Sequence, residues 1–217
     1  MASSSLVRLG GLAVVVAAVL LLTADIIDAY HIQAATTAGT AELNRQFLTT
    51  STHAFESVLR LIAFGVLLPL GLVALYARQS EALGPLGLVG FVVAFAGTVL
   101  VSGFAWVDHF VAPELAELTT SAPRLMESGP PPGRALSFLV FGIGWALFGL
   151  ASLVGRVYPR SASALLIVGV VILTAVSLAL LPVPLGGLPF EAAVAWLGVA
   201  LLTGWGGSAS TQPSRVS

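Results

Sequence analysis

The sequence predicts an all-α fold: a polytopic membrane helix bundle of about six transmembrane helices. Three observations carry that prediction. The chain is 57% hydrophobic and only 9% charged, with a mean hydropathy of +1.00. Soluble domains carry roughly 25% charged residues, so a chain this apolar cannot cover itself with polar surface and its solvent is lipid. Its apolar residues also fall into tracts of about 20, the length of a helix that crosses a bilayer.

The tracts run Leu9–Asp28, Glu56–Ala77, Leu86–Val107, Ala135–Val154, Ala162–Leu181 and Phe190–Trp205. The first follows Arg8 with "LGGLAVVVAAVLLLTA", a pattern that also suits a signal peptide. No small-x-small cleavage site follows promptly, and the apolar run continues through Ile26 and Ile27, so a retained helix is expected. Residues 1–207 then form one six-helix transmembrane domain, and 208–217 a disordered cytoplasmic tail.

Orientation follows from arginines in short loops. Arg8, Arg78, Arg156, Arg160 and Arg215 fall on one side in short segments, while Arg45, Arg124 and Arg134 fall on the other in two longer loops. That density places both termini in the cytoplasm of a multi-pass cell-membrane protein. Tyr30 and Trp106 mark the outer interface, and Tyr76, Tyr158 and Trp205 the inner one. The outer loops are expected to carry short surface helices, one after Thr40 and another begun by Pro113 with Glu114 in its first turn. Gly129 and Pro130–Pro132 close the second loop.

Within the spans, "LIAFGVLLPLGLVALYAR" (Leu61–Arg78) resembles "LVFGIGWALFGLASLVGR" (Leu139–Arg156). Phe64-Gly65 matches Phe141-Gly142, which suggests a parallel duplication of a helical hairpin, spans 2–3 and 4–5. Gly84, Gly87, Gly90, Ala94, Gly97, Gly142, Ala146 and Gly149 have the small-residue spacing that lets helix backbones approach closely. Pro69 removes a backbone donor and should kink span two.

Composition excludes several function classes. Net charge is −1, lysine is absent and the nine arginines are scattered, so there is no nucleic-acid signal. Absent cysteine removes disulfides, thiolate metal sites and cysteine nucleophiles. HExxH, paired ExxH, GxSxG, P-loop and dinucleotide patterns are all missing. Every histidine lies at a span end, which disfavours a b-type haem.

The candidate site is on the outer side. Nine of the ten carboxylates fall there, with all three histidines. Asp28 precedes His31 by three, Glu56 follows His53 by three, and Asp108 abuts His109 within "WVDHFVAPELAEL". Residues three apart share a helix face. Three span ends therefore present an imidazole and a carboxylate at similar depth. Asp25, Asp28, His31, His53, Glu56, Asp108 and His109 form the expected set, suited to a divalent metal (Zn, Fe or Mn) or to a proton relay. Asp25 is the most informative acid, because it lies about one turn inside its span, where ionised groups need partners. The plainer reading is that span ends are where polar residues belong. Glu56 and Arg60 then form a simple i,i+4 surface pair, and Glu191 complements a helix N-terminus.

The Arg-Leu-Gly-Gly start, the "LYAR" ending of span two, "WVDHFVAPELAEL" and "FGIGWALFGLASLVGRVYPR" together resemble a loose group of uncharacterised bacterial six-span integral membrane proteins. That resemblance implies a fold class and no activity. The functional expectation is a membrane protein, more in keeping with a non-enzyme, binding a divalent cation or small polar solute at the outer cluster in a transport, sensing or accessory role. The alternatives are a structural subunit packing against a membrane partner or a second copy, and a metal-dependent membrane enzyme using the same cluster.

Overall fold

The computed structural model describes residues 4–36, 46–118, 132–181 and 185–204. All its regular elements are helical. They are α1 (Ser4–Thr36), α2 (Ser51–Ile62), a π-turn (Ala63–Leu67), α3 (Leu68–Phe110), α4 (Ala112–Leu118), α5 (Pro132–Gly155), α6 (Arg160–Ser177) and α7 (Leu188–Thr203). Among the described residues, four helical stretches are long and apolar enough to cross a membrane: Ser5–His31, Ser51–Phe110, Pro132–Gly155 and Arg160–Ser177. Leu188–Thr203 is a shorter apolar helix. Large apolar side chains such as Leu9, Val154 and Leu180 are about two-thirds exposed. A surface of that kind aggregates in water and suits lipid. The chain is accordingly a helical membrane protein.

The 60-residue stretch Ser51–Phe110 is not straight. Gly84 has φ 56° and ψ −155° and is followed by Pro85. Glycine tolerates that positive φ for want of a Cβ, and Pro85 offers no N–H to continue the ladder. The rings of Tyr76 and Phe91 stack with centroids 4.4 Å apart, whereas fifteen residues of straight helix would hold them about 22 Å apart. The chain therefore folds back at Gly84, and α3 has two antiparallel legs. Pro69, expected to kink span two, follows a π-turn, itself a common site of helix distortion. The π-turn ends at Leu67, and the carbonyl four residues before Pro69, that of Gly65, lies within it.

The other boundaries differ modestly from expectation. α1 extends beyond Asp28 to Thr36. α6 stops at Ser177, short of Leu181, where Ala179 takes φ 56°. α7 ends at Thr203, capped by Gly204 in the left-handed region. α4 begins as expected, with Pro113 near its start and Glu114 in its first turn. Of the helix expected after Thr40 only residues 46–48 are described, and they are helical; the closing turn through Gly129–Pro131, Trp205 and the tail lie outside the described residues.

Close backbone approach holds the bundle together. A Cβ on Gly90 or Gly97 would strike the backbone of Phe148 or Phe141, and one on Gly144 would strike the backbone of Ala94. The second leg of α3 thus lies directly on α5. Around that seam Phe64, Phe141, Trp145, Phe148 and Phe190 form a buried aromatic core. Several of its polar atoms are paired locally, although Gln79 Oε1 is buried without a partner. Trp145 Nε1 donates to Thr98 Oγ1 at 3.0 Å, and Thr98 donates to the Ala94 carbonyl at 2.7 Å. Gln79 Nε2 donates to Ser152 Oγ at 2.9 Å.

Tyr158, expected at the inner interface, is turned inward instead. It is buried, and its hydroxyl donates to the Leu75 carbonyl at 3.2 Å. Burial pushes that phenol above its ordinary range. Tyr30 and Trp106, by contrast, are well exposed at the opposite end.

Substituting Gly144→Val should force α5 from α3 and cost about 1–3 kcal/mol of stability. Gly103→Ala, where an added Cβ meets nothing within 4 Å, should be neutral or stabilising by up to about 1 kcal/mol. Paired thermal unfolding in one detergent checks both.

Candidate functional site

The site is built at the end of the bundle where α1 finishes, α2 begins, the second leg of α3 ends and α7 starts. Thr50 caps α2. Its hydroxyl donates to the Phe47 carbonyl at 2.7 Å and accepts from the His53 backbone N–H at 3.2 Å. That cap sets the rotation of α2, and helical spacing then turns His53, Glu56, Ser57 and Arg60 inward.

Arg60 is the centre. Its Nη2 donates to Asp25 Oδ1 and to Asp28 Oδ2, each at 3.2 Å, and pairs with Glu56 Oε1 at 3.0 Å. Three carboxylates, two from α1 and one from α2, thus share one end of a guanidinium. Exposure is graded: the Glu56 side chain is 4% exposed, Asp25 21%, Arg60 24% and Asp28 38%. Taking such charges from water is costly, and only mutual pairing makes the arrangement tolerable.

Glu191 joins from α7. It lies in the first turn of that helix and is buried, and its carboxyl stands beside that of Asp25 in the space left at Gly187. Gly187, one turn earlier, leaves the space for them. A Cβ there would strike Asp25 Oδ2 and Glu191 Oε1.

The histidines take separate positions. His53 Nε2 lies 3.3 Å from the Asp108 carbonyl. A carbonyl only accepts, so Nε2 carries the hydrogen. Nδ1 is then buried without a hydrogen-bond partner, 3.9 Å from Glu56 Oε2. His109 Nδ1 lies 2.8 Å from Ser57 Oγ, and that hydroxyl donates to the Ala54 carbonyl at 3.2 Å. A hydroxyl has one hydrogen to give, so His109 Nδ1–H is the donor of the pair. The His31 ring lies against Phe47 at 4.2 Å, and Phe47 meets His53 edge-on at 5.3 Å. A phenyl ring therefore stands between two of the three imidazoles. Arg134, at the start of α5, is close enough to Asp108 and Asp28 for their charges to act on it, and its guanidinium lies over the Phe138 ring at 5.8 Å.

All seven expected residues, Asp25, Asp28, His31, His53, Glu56, Asp108 and His109, belong to this one end, but they do not ring a single point. Among the described residues, no three His, Asp or Glu side chains are disposed to hold one metal ion. The carboxylates turn toward a guanidinium, while His53 and His109 are engaged by a backbone carbonyl and a hydroxyl. Sequence reasoning under-read Arg60 and Glu191 and missed Ser57 and Phe47. The signal for the first two was present: each is an ionisable residue set within an apolar tract, a costly position that implies a partner.

No family model matches this chain, and no curated protein or solved structure matches it.

Arg60→Gln should strand the carboxylates of Asp25, Asp28 and Glu56 and lower stability by about 3 kcal/mol. Asp28→Asn, at the exposed edge, should cost no more than about 1 kcal/mol. Equal losses in calorimetric unfolding would show that Arg60 is not the organising charge.

Proposed function

We propose that this chain is a six-span integral membrane protein of the cell membrane that binds a small cation, or a small polar solute bearing positive charge, at the Arg60-centred acid cluster. Six crossings follow from treating the two legs of α3 as separate spans and α7 as the last. The reversal at Gly84 and the apolar character of α7 support that count. The parallel-duplication reading draws support from Phe64 and Phe141, at matched repeat positions, whose rings meet edge-to-face at 5.8 Å. Cytoplasmic termini follow from the arginine distribution alone.

One observation carries the binding reading. Four carboxyl groups, Asp25, Asp28, Glu56 and Glu191, gather around the single positive charge of Arg60. The surplus negative charge lies at the end of an apolar bundle, where the field of each group is screened less than in water. A cation entering there gains oxygen ligands and relieves like-charge repulsion. Carboxylate oxygens favour hard cations. The consequence is a transport, sensing or accessory role, with lipid as the surrounding partner.

In lipid nanodiscs, the unfolding midpoint should rise saturably with at least one of sodium, potassium, magnesium, calcium, manganese or zinc. The reference is N-methylglucamine chloride at equal ionic strength. At a hundredfold excess over Kd the gain is about 2.7 kcal/mol, and Asp28→Asn and Glu56→Gln should each diminish it. Midpoints identical in every salt, for wild type and variants alike, would overturn the reading.

A further inference from the structure

The end of the bundle opposite the acid cluster carries the other sign of charge. There the chain linking α5 to α6 is laid along the last turns of the first leg of α3 by two contacts. Tyr158 donates to the Leu75 carbonyl at 3.2 Å. A Cβ on Gly155 would meet the Leu83 side chain at 2.9 Å and the Ala82 carbonyl at 3.5 Å. Arg78 lies between those two anchor points, three residues from Leu75 and so on the same face of the leg. Arg156 directly follows Gly155, and Arg160 comes two residues after Tyr158 and opens α6. Three arginines are thereby drawn to one connection, and all three are exposed. Among the described residues, no hydrogen bond or ion pair engages their guanidinium groups, and Glu81 is the one acid at this end.

The surface on the membrane side of these charges is apolar. Ala164 and Val168 follow Arg160 at four-residue spacing, on the same face of α6, and both are exposed, Val168 to 54%. On α5, Leu150 and Val154 form a matching exposed stripe that leads up to Arg156. Each stripe ends at a guanidinium. A ligand that covers both parts has hydrocarbon along the helices and an anion at the end. A soluble phosphate would use only the arginines, and an acidic peptide would leave the stripes bare.

We propose that Arg78, Arg156 and Arg160 form a headgroup site for an anionic phospholipid whose acyl chains lie along the exposed faces of α5 and α6. Binding is ionic and by hydrogen bonds, with no covalent change. Guanidinium groups suit phosphate because their planar fork donates two parallel hydrogen bonds. A zwitterionic headgroup brings its own cation beside the phosphate, which opposes the three arginines. The site therefore favours phosphatidylglycerol over phosphatidylcholine. The lipid would bridge the first leg of α3 and the start of α6, the two elements that Tyr158 already ties. This site is at the far end from Arg60 and does not depend on cation binding there.

Native mass spectrometry of the full chain in dodecyl maltoside tests the site. The probe is an equal mixture of phosphatidylglycerol and phosphatidylcholine with identical acyl chains, at fixed ionic strength. Wild type should retain phosphatidylglycerol in preference. Arg156→Gln and Arg160→Gln should each cut that preference about fivefold, the effect expected of one arginine at an anionic headgroup. Arg8→Gln removes the same unit charge from the start of α1, an exposed position outside the α5–α6 connection, and should leave most of the preference in place. No preference in wild type, or an equal loss in Arg8→Gln, would reduce the site to diffuse attraction and overturn the proposal. Sodium glycerol phosphate separates the two sources of phosphate, and it should displace little of the bound lipid. Displacement as complete as that by added phosphatidylglycerol would leave a site for soluble phosphate and overturn the lipid assignment.

Discussion

The constraint on which this end of the molecule depends is the neutralisation of a guanidinium within an apolar bundle. Arg60 lies more than two turns into the Ser51–Phe110 stretch, where a lone cation is costly. Its compensation comes from Glu56 on its own helix and from Asp25 and Asp28 on α1. Helical spacing leaves little freedom in that match. The two acids on α1 are three residues apart and so occupy one face. They meet Nη2 together only if α1 has one rotation and one height relative to α2.

The fixing of α1 carries through to α7. Farther along the same pair of helices, Gly11 and Gly198 bring the two backbones into close approach. At the site end, Gly187 lets Asp25 and Glu191 meet. The same seam is apolar and tight at one level and ionic at another. Close packing is what makes the ionic level consequential: displacing α7 would both open the glycine contacts and separate the carboxyl pair. Small residues here position charge as well as fill space.

The histidines, the most conspicuous polar residues of the sequence, serve the site's frame. His53 ties the start of α2 to the end of α3 through the Asp108 carbonyl. His109 makes the reciprocal tie through Ser57. These two bonds fasten the hairpin that turns at Gly84, far along the chain. They hold α2 in register with α3 while Arg60 holds it in register with α1, so α2 is fixed from both sides. The unpartnered Nδ1 of His53 is the one imidazole atom in this frame left facing an acid.

The sequence by itself determined the solvent and the class of fold. Low charge and tracts of about 20 apolar residues admit little other than membrane helices, because lipid leaves backbone groups no partner outside the helix. It also determined that His53, Glu56, Asp25, Asp28, Asp108 and His109 would share one end, since span ends alternate sides and charge is expelled to them. Only the tertiary structure decided which of these groups touch. Helical periodicity gives the face of each residue on its own helix, but not the rotation of one helix against another. That rotation comes from backbone contacts at glycines such as Gly97 and Gly144 and from the reversal at Gly84. It decided that the carboxylates close on Arg60 in place of the imidazoles. It also decided that Glu191, which reads in sequence as a helix-end acid, is the buried partner of Asp25.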